Sequence, residues 1–406
     1  MDSPLEGIRV LDWTIWQQGP VCSMMLGDLG ADVIKIEERV AGDVGRGVVR
    51  IMGDMIGTGK TGRNFYFEYN NRNKRGITVD LRKDEGKKII YKLVEKSDVF
   101  VQNFRKGVAE RMGLDYETLL KYNPKLIYAH GTGWGPRGPE AELPSMDYTG
   151  LGKTGLMFIG GEPDSPPVNF QPGLADQMGA IFLAYGVLAA LLVRERTGEG
   201  QRVDASLLGG TVCGLEGLNF ACKLILGKEI SRPSRTRAGN PLYNHYQCKD
   251  GNWIIICLAQ SDRYWPAFCK RLGIEELEKH PRFDDMNKRT QNSEELIANL
   301  DKVFATKDRD EWLRILREER DFMVGPINTL SDLVDDPQML ANNYIIDFDH
   351  PVMGKIKTTG FPVHLSKTPL TLRREAPEFG QHTEEILLEL GYNWDDIIKL
   401  KDAEAI

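Results

Sequence analysis

A chain of 406 residues is too long for one ordinary core, so two or three domains are expected. The composition, 41% hydrophobic and 27% charged, is that of a globular enzyme, and the net charge of −7 excludes a broad basic face for nucleic acid. The longest apolar run, Met178–Val193, is interrupted by Gly179, Tyr185 and Gly186 and falls short of the roughly 18–20 residues of a membrane span. It predicts a buried helix and no membrane partner.

The opening MDSPLEGIRVLDW lacks a cationic stretch leading into an apolar one, so no secretory signal is expected. Ile8–Trp13 is a short apolar run ended by Gln17-Gln18-Gly19-Pro20. Pro20 suits the first turn of a helix, where its missing N–H costs nothing. Val21–Leu29 continues that helix, with Gly30 placed to end it. Asp32–Glu37 (DVIKIE) is a second strand. Strand, helix, strand within so short a span is a βαβ unit and implies a parallel sheet.

The rhythm repeats. Gly76–Leu81, Asp98–Gln102 and Leu126–His130 read as strands. Between them Glu85–Lys96, Val108–Met112 and Tyr116–Leu120 read as helices. The expected fold is α/β, a Rossmann-like doubly wound parallel sheet with ligands at the carboxyl ends of its strands. A Pro/Gly-rich loop, Gly160–Pro172, precedes a long helix from Leu174 to about Arg196 and a strand at Arg202–Leu207. From about Lys223 the texture changes, and a hairpin of Tyr243–Cys248 with Trp253–Leu258 opens a smaller α+β domain. The expected division is a large domain over residues 1–225, a small one over 226–325, and a return segment over 326–406 that completes the large domain. That segment ends in a helix near Thr383–Leu390.

Several familiar chemistries are absent. After the first strand stands TIWQQGP rather than a glycine fingerprint, which argues against a dinucleotide despite Glu37 ending DVIKIE. GTGKT at Gly57–Thr61 ends like a phosphate loop, but its earlier glycine, Gly53, is one position too far away. There is no GxSxG elbow, and the six histidines are scattered; His130 ends a strand and could line a cleft. Six cysteines without CxxC spacing suggest neither a metal site nor disulfides but reduced thiols, hence a cytoplasmic setting. Asp176 differs. It opens GLADQMGAIFLAYGVLAALL, where a carboxylate suits a helix N-terminus as plain decoration, yet could also be held there as a nucleophile.

The segments PLEGIRVLDWT…GP, LGADVIKIE…GD, NKRGITVDL, SDVFVQNFRKGVAERMGL and NPKLIYAHGTGWG occur in that order. GLADQMGA…TGEGQRVDASLL, DDPQMLANNYI and FGQHTEEILLELGY come after them. This ordered set resembles the class III CoA-transferases, the family of formyl-CoA and carnitine CoA-transferases. The look is nearest to its benzylsuccinate branch of anaerobic aromatic degradation. The resemblance implies an interlocked dimer, either a homodimer or a heteromer with a homologous subunit. It also implies no permanently bound cofactor and a coenzyme A thioester as substrate. Asp176 falls on the family's nucleophilic aspartate. The CoA-binding positions fall on Gln17, Gln18, Val79 to Arg82, Asn103, Phe104, Arg105, Arg111 and the stretch Met146, Asp147, Tyr148.

Departures from the family refine this reading. Formyl-CoA transferases carry Arg directly after IKIE; here Glu38 stands there, with Arg39 one later. Their glycine-rich loop is replaced by RTRAGNPLYNHY, which argues against formate or oxalate. Related racemases place a catalytic His before the Asp147-Tyr148 pair, where this chain has Met146. The expected activity is CoA transfer from a donor such as succinyl-CoA to an aromatic or substituted acid. The alternatives are a 2-methylacyl-CoA racemase and a non-catalytic CoA-binding subunit of a mixed transferase.

Overall fold

The computed structural model describes residues 2–51, 53–55 and 61–406. The GTGKT stretch from Gly57 to Lys60 lies outside the described residues. The chain divides into two compact units. The first comprises 1–157, 169–228 and 343–406; the second comprises 158–168 and 229–342.

The first unit is built on a six-stranded, all-parallel sheet. Its strands are β1 (Arg9–Trp13), β2 (Asp32–Glu37), β3 (Lys74–Thr78), β4 (Val99–Gln102), β5 (Ile127–Thr132) and β6 (Arg202–Ser206). They lie in the order β3-β2-β1-β4-β5-β6, so the winding reverses between β1 and β4 and opens a crevice at their carboxyl ends. The helices of this unit include α1 (Gln18–Asp28), α2 (Phe65–Asn71), α3 (Asp84–Glu95), α4 (Asp147–Thr154) and α5 (Leu174–Thr197).

Both faces of the sheet are covered, which is why its strands read as nearly continuous apolar runs. Leu11, Ile34, Ile77, Phe100 and Tyr128 face α3 and two C-terminal helices, Thr383–Glu389 and Trp394–Asp402. Val10, Val33, Val99, Ile127 and Ala129 face α1 and α5. Alternate residues of each strand thus feed two separate cores.

Two expectations need correcting. The third strand begins at Lys74 rather than Gly76 and stops at Thr78, because it pairs residue by residue with Val33–Glu37. Its first two residues are charged, and both are held by acids. Lys74 Nζ lies 2.7 Å from Asp12 Oδ2, and Arg75 Nη2 lies 2.7 Å from Asp32 Oδ2. α5 is not a wholly buried helix either. Its 24 residues are long and apolar enough to cross a membrane by length and composition. Leu183, Ala184, Val187, Ala190 and Leu191 pack on the sheet, while Ile181, Tyr185, Leu192 and Val193 are exposed.

The second unit carries an antiparallel sheet of Val324–Ile327, Trp253–Cys257 and Tyr243–Gln247. Ile254, Ile256, Trp265, Phe268, Phe304 and Trp312 form its core. Gly325 and Pro326 lie inside the first of these strands, so the unit continues to 342 instead of ending at 325. Segment 158–168 also belongs to it.

Candidate functional site

At the carboxyl ends of β1, β4 and β5 lies a cleft of about 830 Å³, at the crevice the strand order opens. Ile15, Trp16 and Gln18 line it from the β1 turn, Asn103 to Lys106 and Arg111 from the β4 turn. His130 to Gly133 line it from the end of β5, and its wall also includes Tyr66, Met146, Asp147 and Asp176 together with Glu110, Asp115, Arg137 and Arg202.

Asp176 is the third residue of α5. The helix starts at Gly173, whose φ of 101° suits glycine and which carries no capping side chain. A Cβ there would come within 2.7 Å of the Gln17 amide, so Gln17 lies against the helix entry. The missing cap comes from a distant segment. Asp147 Oδ1 accepts from the backbone N–H groups of Ala175 (2.7 Å) and Asp176 (3.0 Å). Asp147 is 7% exposed, and its Oδ2 is buried without a hydrogen-bond partner among the described residues. Burial, and then the nearby Asp147 charge, push the Asp176 carboxyl up to about 7. Burial likewise pushes the Tyr66 phenol above its ordinary range, with Asp176 as the next contributor.

The β1 turn that faces Asp176 is rigidly supported. Asn103 Oδ1 accepts from Ile15 N–H at 3.0 Å, and its Nδ2 donates to Ile15 C=O at 2.8 Å. Trp16 adopts a left-handed φ of 64°, and its N–H donates to Asp43 Oδ1 at 3.1 Å. Asp43 is in turn ion-paired at 2.8 Å with Lys35, which also donates to Thr14 C=O at 3.1 Å. Lys35, Lys74 and Asp12 are fully buried. Buried charges of this kind persist only when paired, and here the pairing holds the turn that carries Trp16, Gln17 and Gln18. Gln18 donates to Thr132 C=O at 3.3 Å and fills the space over Gly179, where a Cβ would come within 2.6 Å of its Nε2.

Of the residues singled out in the sequence, Gln18, Asn103, Phe104, Arg105, Arg111, Met146, Asp147 and Asp176 line the cleft, with Gln17 beside Gly173. Arg105 and Arg111 are exposed and make no ion pair among the described residues. Val79, Arg82, Arg39 and Tyr148 stand elsewhere. Val79 is fully buried in the core, so only its backbone could meet a ligand. Arg82 lies 2.8 Å from Asp80 and 3.2 Å from Glu38, and Arg39 lies 3.3 Å from Glu404. These groups, of which Arg82 and Glu404 are exposed and Asp80 is buried, stand outside the cleft lining. Tyr148 points to Asn169 rather than into the cleft, and bonds its side-chain oxygen.

Sequence reasoning missed Tyr66, Trp16, Arg137 and the polar wall around His130. His130 Nε2 lies 3.2 Å from Phe104 C=O, and its Nδ1 lies 3.3 Å from Asp204 Oδ1. Its position at a strand end was the one signal available; Tyr66 sits on a short helix, α2, that no clear pattern announced.

Comparison with known proteins bears directly on this geometry. Residues 5–383 match the sequence profile described as CoA-transferase family III. The (R)-2-hydroxy-4-methylpentanoate CoA-transferase of Clostridioides difficile is 33% identical over 99% of both chains. The succinyl-CoA:glutarate CoA-transferase of Mus musculus is 35% identical over 98% of this chain and 89% of its own. Among solved structures, a CAIB/BAIF family protein from Brucella suis superposes with a TM-score of 0.85. It is 32% identical, over 96% of this chain and all of that one.

Proposed function

This chain belongs to CoA-transferase family III, and from that premise we propose that it moves CoA from a dicarboxylic acyl-CoA such as succinyl-CoA to a bulkier carboxylic acid through covalent intermediates on Asp176. The observation that carries this reading is the setting of Asp176. It is a carboxyl group at a helix N-terminus, on the wall of the cleft, with its acidity weakened to about 7. A carboxylate of raised pKa is a better nucleophile once ionised, and the helix end favours the negative charge it starts from.

Transfer begins when a carboxylate oxygen of Asp176 attacks the thioester carbonyl. The C–S bond breaks, and CoA leaves as a thiolate from an aspartyl–acyl anhydride. The thiolate then attacks the Asp176 carbonyl carbon and expels the donor acid, leaving an aspartyl-CoA thioester. The acceptor carboxylate attacks that carbon, CoA thiolate leaves again, and a second anhydride forms. Attack of the thiolate on the acceptor's acyl carbon yields the new acyl-CoA and restores Asp176. Each half-reaction exchanges one thioester for another of similar energy, so positioning and exclusion of water carry the catalysis. The Gln17 amide, which lies against the entry of α5, is proposed to donate to the oxyanion on the Asp176 carbon.

Arg105 and Arg111 are proposed to meet the CoA phosphates at the mouth of the cleft, with Arg82 and Arg39 at the outer end of the same ligand. Trp16, Tyr66 and Met146 give the acid subsite an aromatic and apolar wall, which supports a bulky acceptor. The names of the two transferase relatives, one acting on a branched hydroxy acid and one on glutarate, support the same range. A second subunit is proposed to cover the exposed apolar residues of α5, together with Leu218, Leu224 and Ile225. Racemisation is disfavoured because Met146 cannot carry a proton and both nitrogens of His130 are engaged.

The test is incubation with succinyl-CoA and a panel of free acids: glutarate, 2-hydroxy-4-methylpentanoate and benzylsuccinate. Mass spectrometry should show CoA on one or more of them, and hydroxylamine should trap Asp176 as its hydroxamate. Absence of label at Asp176 while transfer proceeds would end the covalent reading.

A further inference from the structure

Beside Asp176 the cleft wall holds a second carboxyl group that the transfer sequence does not use. Asp147 comes from α4, and its Oδ1 is committed to the amides of Ala175 and Asp176. Its Oδ2 is buried and meets no donor among the described residues, on a residue that lines the cleft. A carboxylate oxygen left this way costs free energy that a simple cap does not require. An asparagine would cap the same two amides through its Oδ1 without a charge. The charge itself is therefore the feature to explain.

We propose that the Asp147 carboxylate, capping the helix that carries Asp176, sets the order of substrates, keeping a free carboxylic acid away from Asp176 until acylation has made Asp176 neutral. The proposal rests on the covalent reading of Asp176 and deepens it. In the resting enzyme two carboxylates already share this part of the cleft, and a third on an incoming acid meets both. The cleft lining also holds the acids Glu110, Asp115, Glu117 and Asp204 and the cations Arg105, Lys106, Arg111, Arg137 and Arg202, and Asp43 acts on Tyr66. Among the described residues, burial and the Asp147 charge are what shift Asp176. Like charges in a poorly solvated pocket repel strongly. Once Asp176 is an anhydride or a thioester its charge is gone. Asp147 alone remains, its charge partly offset by the N-terminus of α5. The acceptor carboxylate can then enter within bonding reach of the Asp176 carbon. The donor acyl-CoA faces no such barrier, because its reacting end is a neutral thioester. An acid thus cannot occupy the site ahead of the donor and block it.

The prediction is read by equilibrium binding of free succinate and glutarate, without CoA, to wild type, Asp147→Asn and Asp176→Asn. Above the Asp176 transition near pH 7, both variants should bind the acids at least about tenfold tighter than wild type. Binding to wild type should strengthen as the pH falls through about 7, as Asp176 takes up a proton, and Asp176→Asn should lack this dependence. A role for Asp147 as a helix cap alone moves neither quantity. Equal affinity in all three proteins, including no measurable binding to any, overturns the proposal. Should Asp147→Asn fold poorly, Asp147→Ser, whose hydroxyl oxygen can still cap the helix without a charge, takes its place in the same binding measurement. Hydroxylamine trapping of wild type with succinyl-CoA keeps the two readings separate. Trapping at Asp176 with unchanged acid affinities removes only the gating; no trapping removes the covalent reading beneath it.

Discussion

The ends of β2 and β3 and the ends of β1 and β4 are neighbouring parts of one sheet, yet they treat charge in opposite ways. Beyond β2 and β3 the charges are matched. Glu37 holds Arg46 at 2.6 Å, Lys35 holds Asp43, Asp80 holds Arg82, and Arg39 meets Glu404. Hydrogen bonds from Arg82 hold the Asp80 carboxyl down to about 2. Beyond β1 and β4, Arg105 and Arg111 line the cleft without an ion pair among the described residues, Asp147 Oδ2 has no hydrogen-bond partner among them, and burial pushes the Asp176 carboxyl up to about 7. Matched charge builds a scaffold; unmatched charge in a concave wall is what a charged substrate completes.

The contrast predicts which kind of damage each region suffers. Asp176→Ala should lose at least about a thousandfold in turnover while leaving CoA binding and the fold intact; near-normal kcat would erase the distinction between the regions. Asp43→Ala removes the direct ion-pair partner of the fully buried Lys35, leaving only the more distant charges of Asp12 and Glu37. It should cost about 3–5 kcal/mol in denaturant unfolding, whereas a loss of activity at full stability would place Asp43 with the site instead. Arg105→Ala and Arg111→Ala should each raise KM for acyl-CoA about 10- to 100-fold, as loss of a charge-assisted contact worth about 1.5–3 kcal/mol implies, with unfolding unchanged.

A pH-dependent comparison is finer still. The carboxyl of Asp176 is raised in the folded protein from 3.8 to about 7. The stability it contributes is therefore full at pH below about 4 and is lost as the pH rises through about 7. Asp176→Asn escapes that loss, so its Tm should exceed the wild-type value by a few degrees at pH 8 and by progressively less toward pH 5. A constant offset at every pH would show that the ionisation is not the cause. The smallest effect is expected from Arg82→Ala, a few-fold rise in KM for acyl-CoA, because Asp80 and Glu38 already compensate the charge. A larger rise than that of Arg105→Ala would move the main phosphate contacts to the matched cluster.

How much of this was legible in the sequence depended on the range of the interaction concerned. β2 was legible to the residue, since DVIKIE is an unbroken strand pattern. The start of β3 was not, because Lys74 and Arg75 look like turn residues until Asp12 and Asp32 are placed beside them. The same reason hid the strand at Val324–Ile327, where Gly325 and Pro326 suggest a break but register against Trp253–Ile256 makes an edge strand. The resemblance of ordered segments placed Asp176 and most of the cleft residues, yet it assigned Asp147 and Tyr148 to one ligand. In the structure Asp147 turns inward to cap α5 and Tyr148 turns outward to Asn169.

By itself the sequence determined the parallel α/β sheet, the long helix beginning near Asp176 and the family to which both belong. All three rest on local periodicity and on ordered motifs read along the chain. Only the tertiary structure decided the charge state around Asp176. The cap from Asp147 spans 28 residues of chain, and the Asn103 clamp on the β1 turn spans 88. Burial, which raises the Asp176 carboxyl, exists only once α2, α4 and α5 have closed around it. Desolvation and long-range hydrogen bonds act through space, so no reading along the chain contains them.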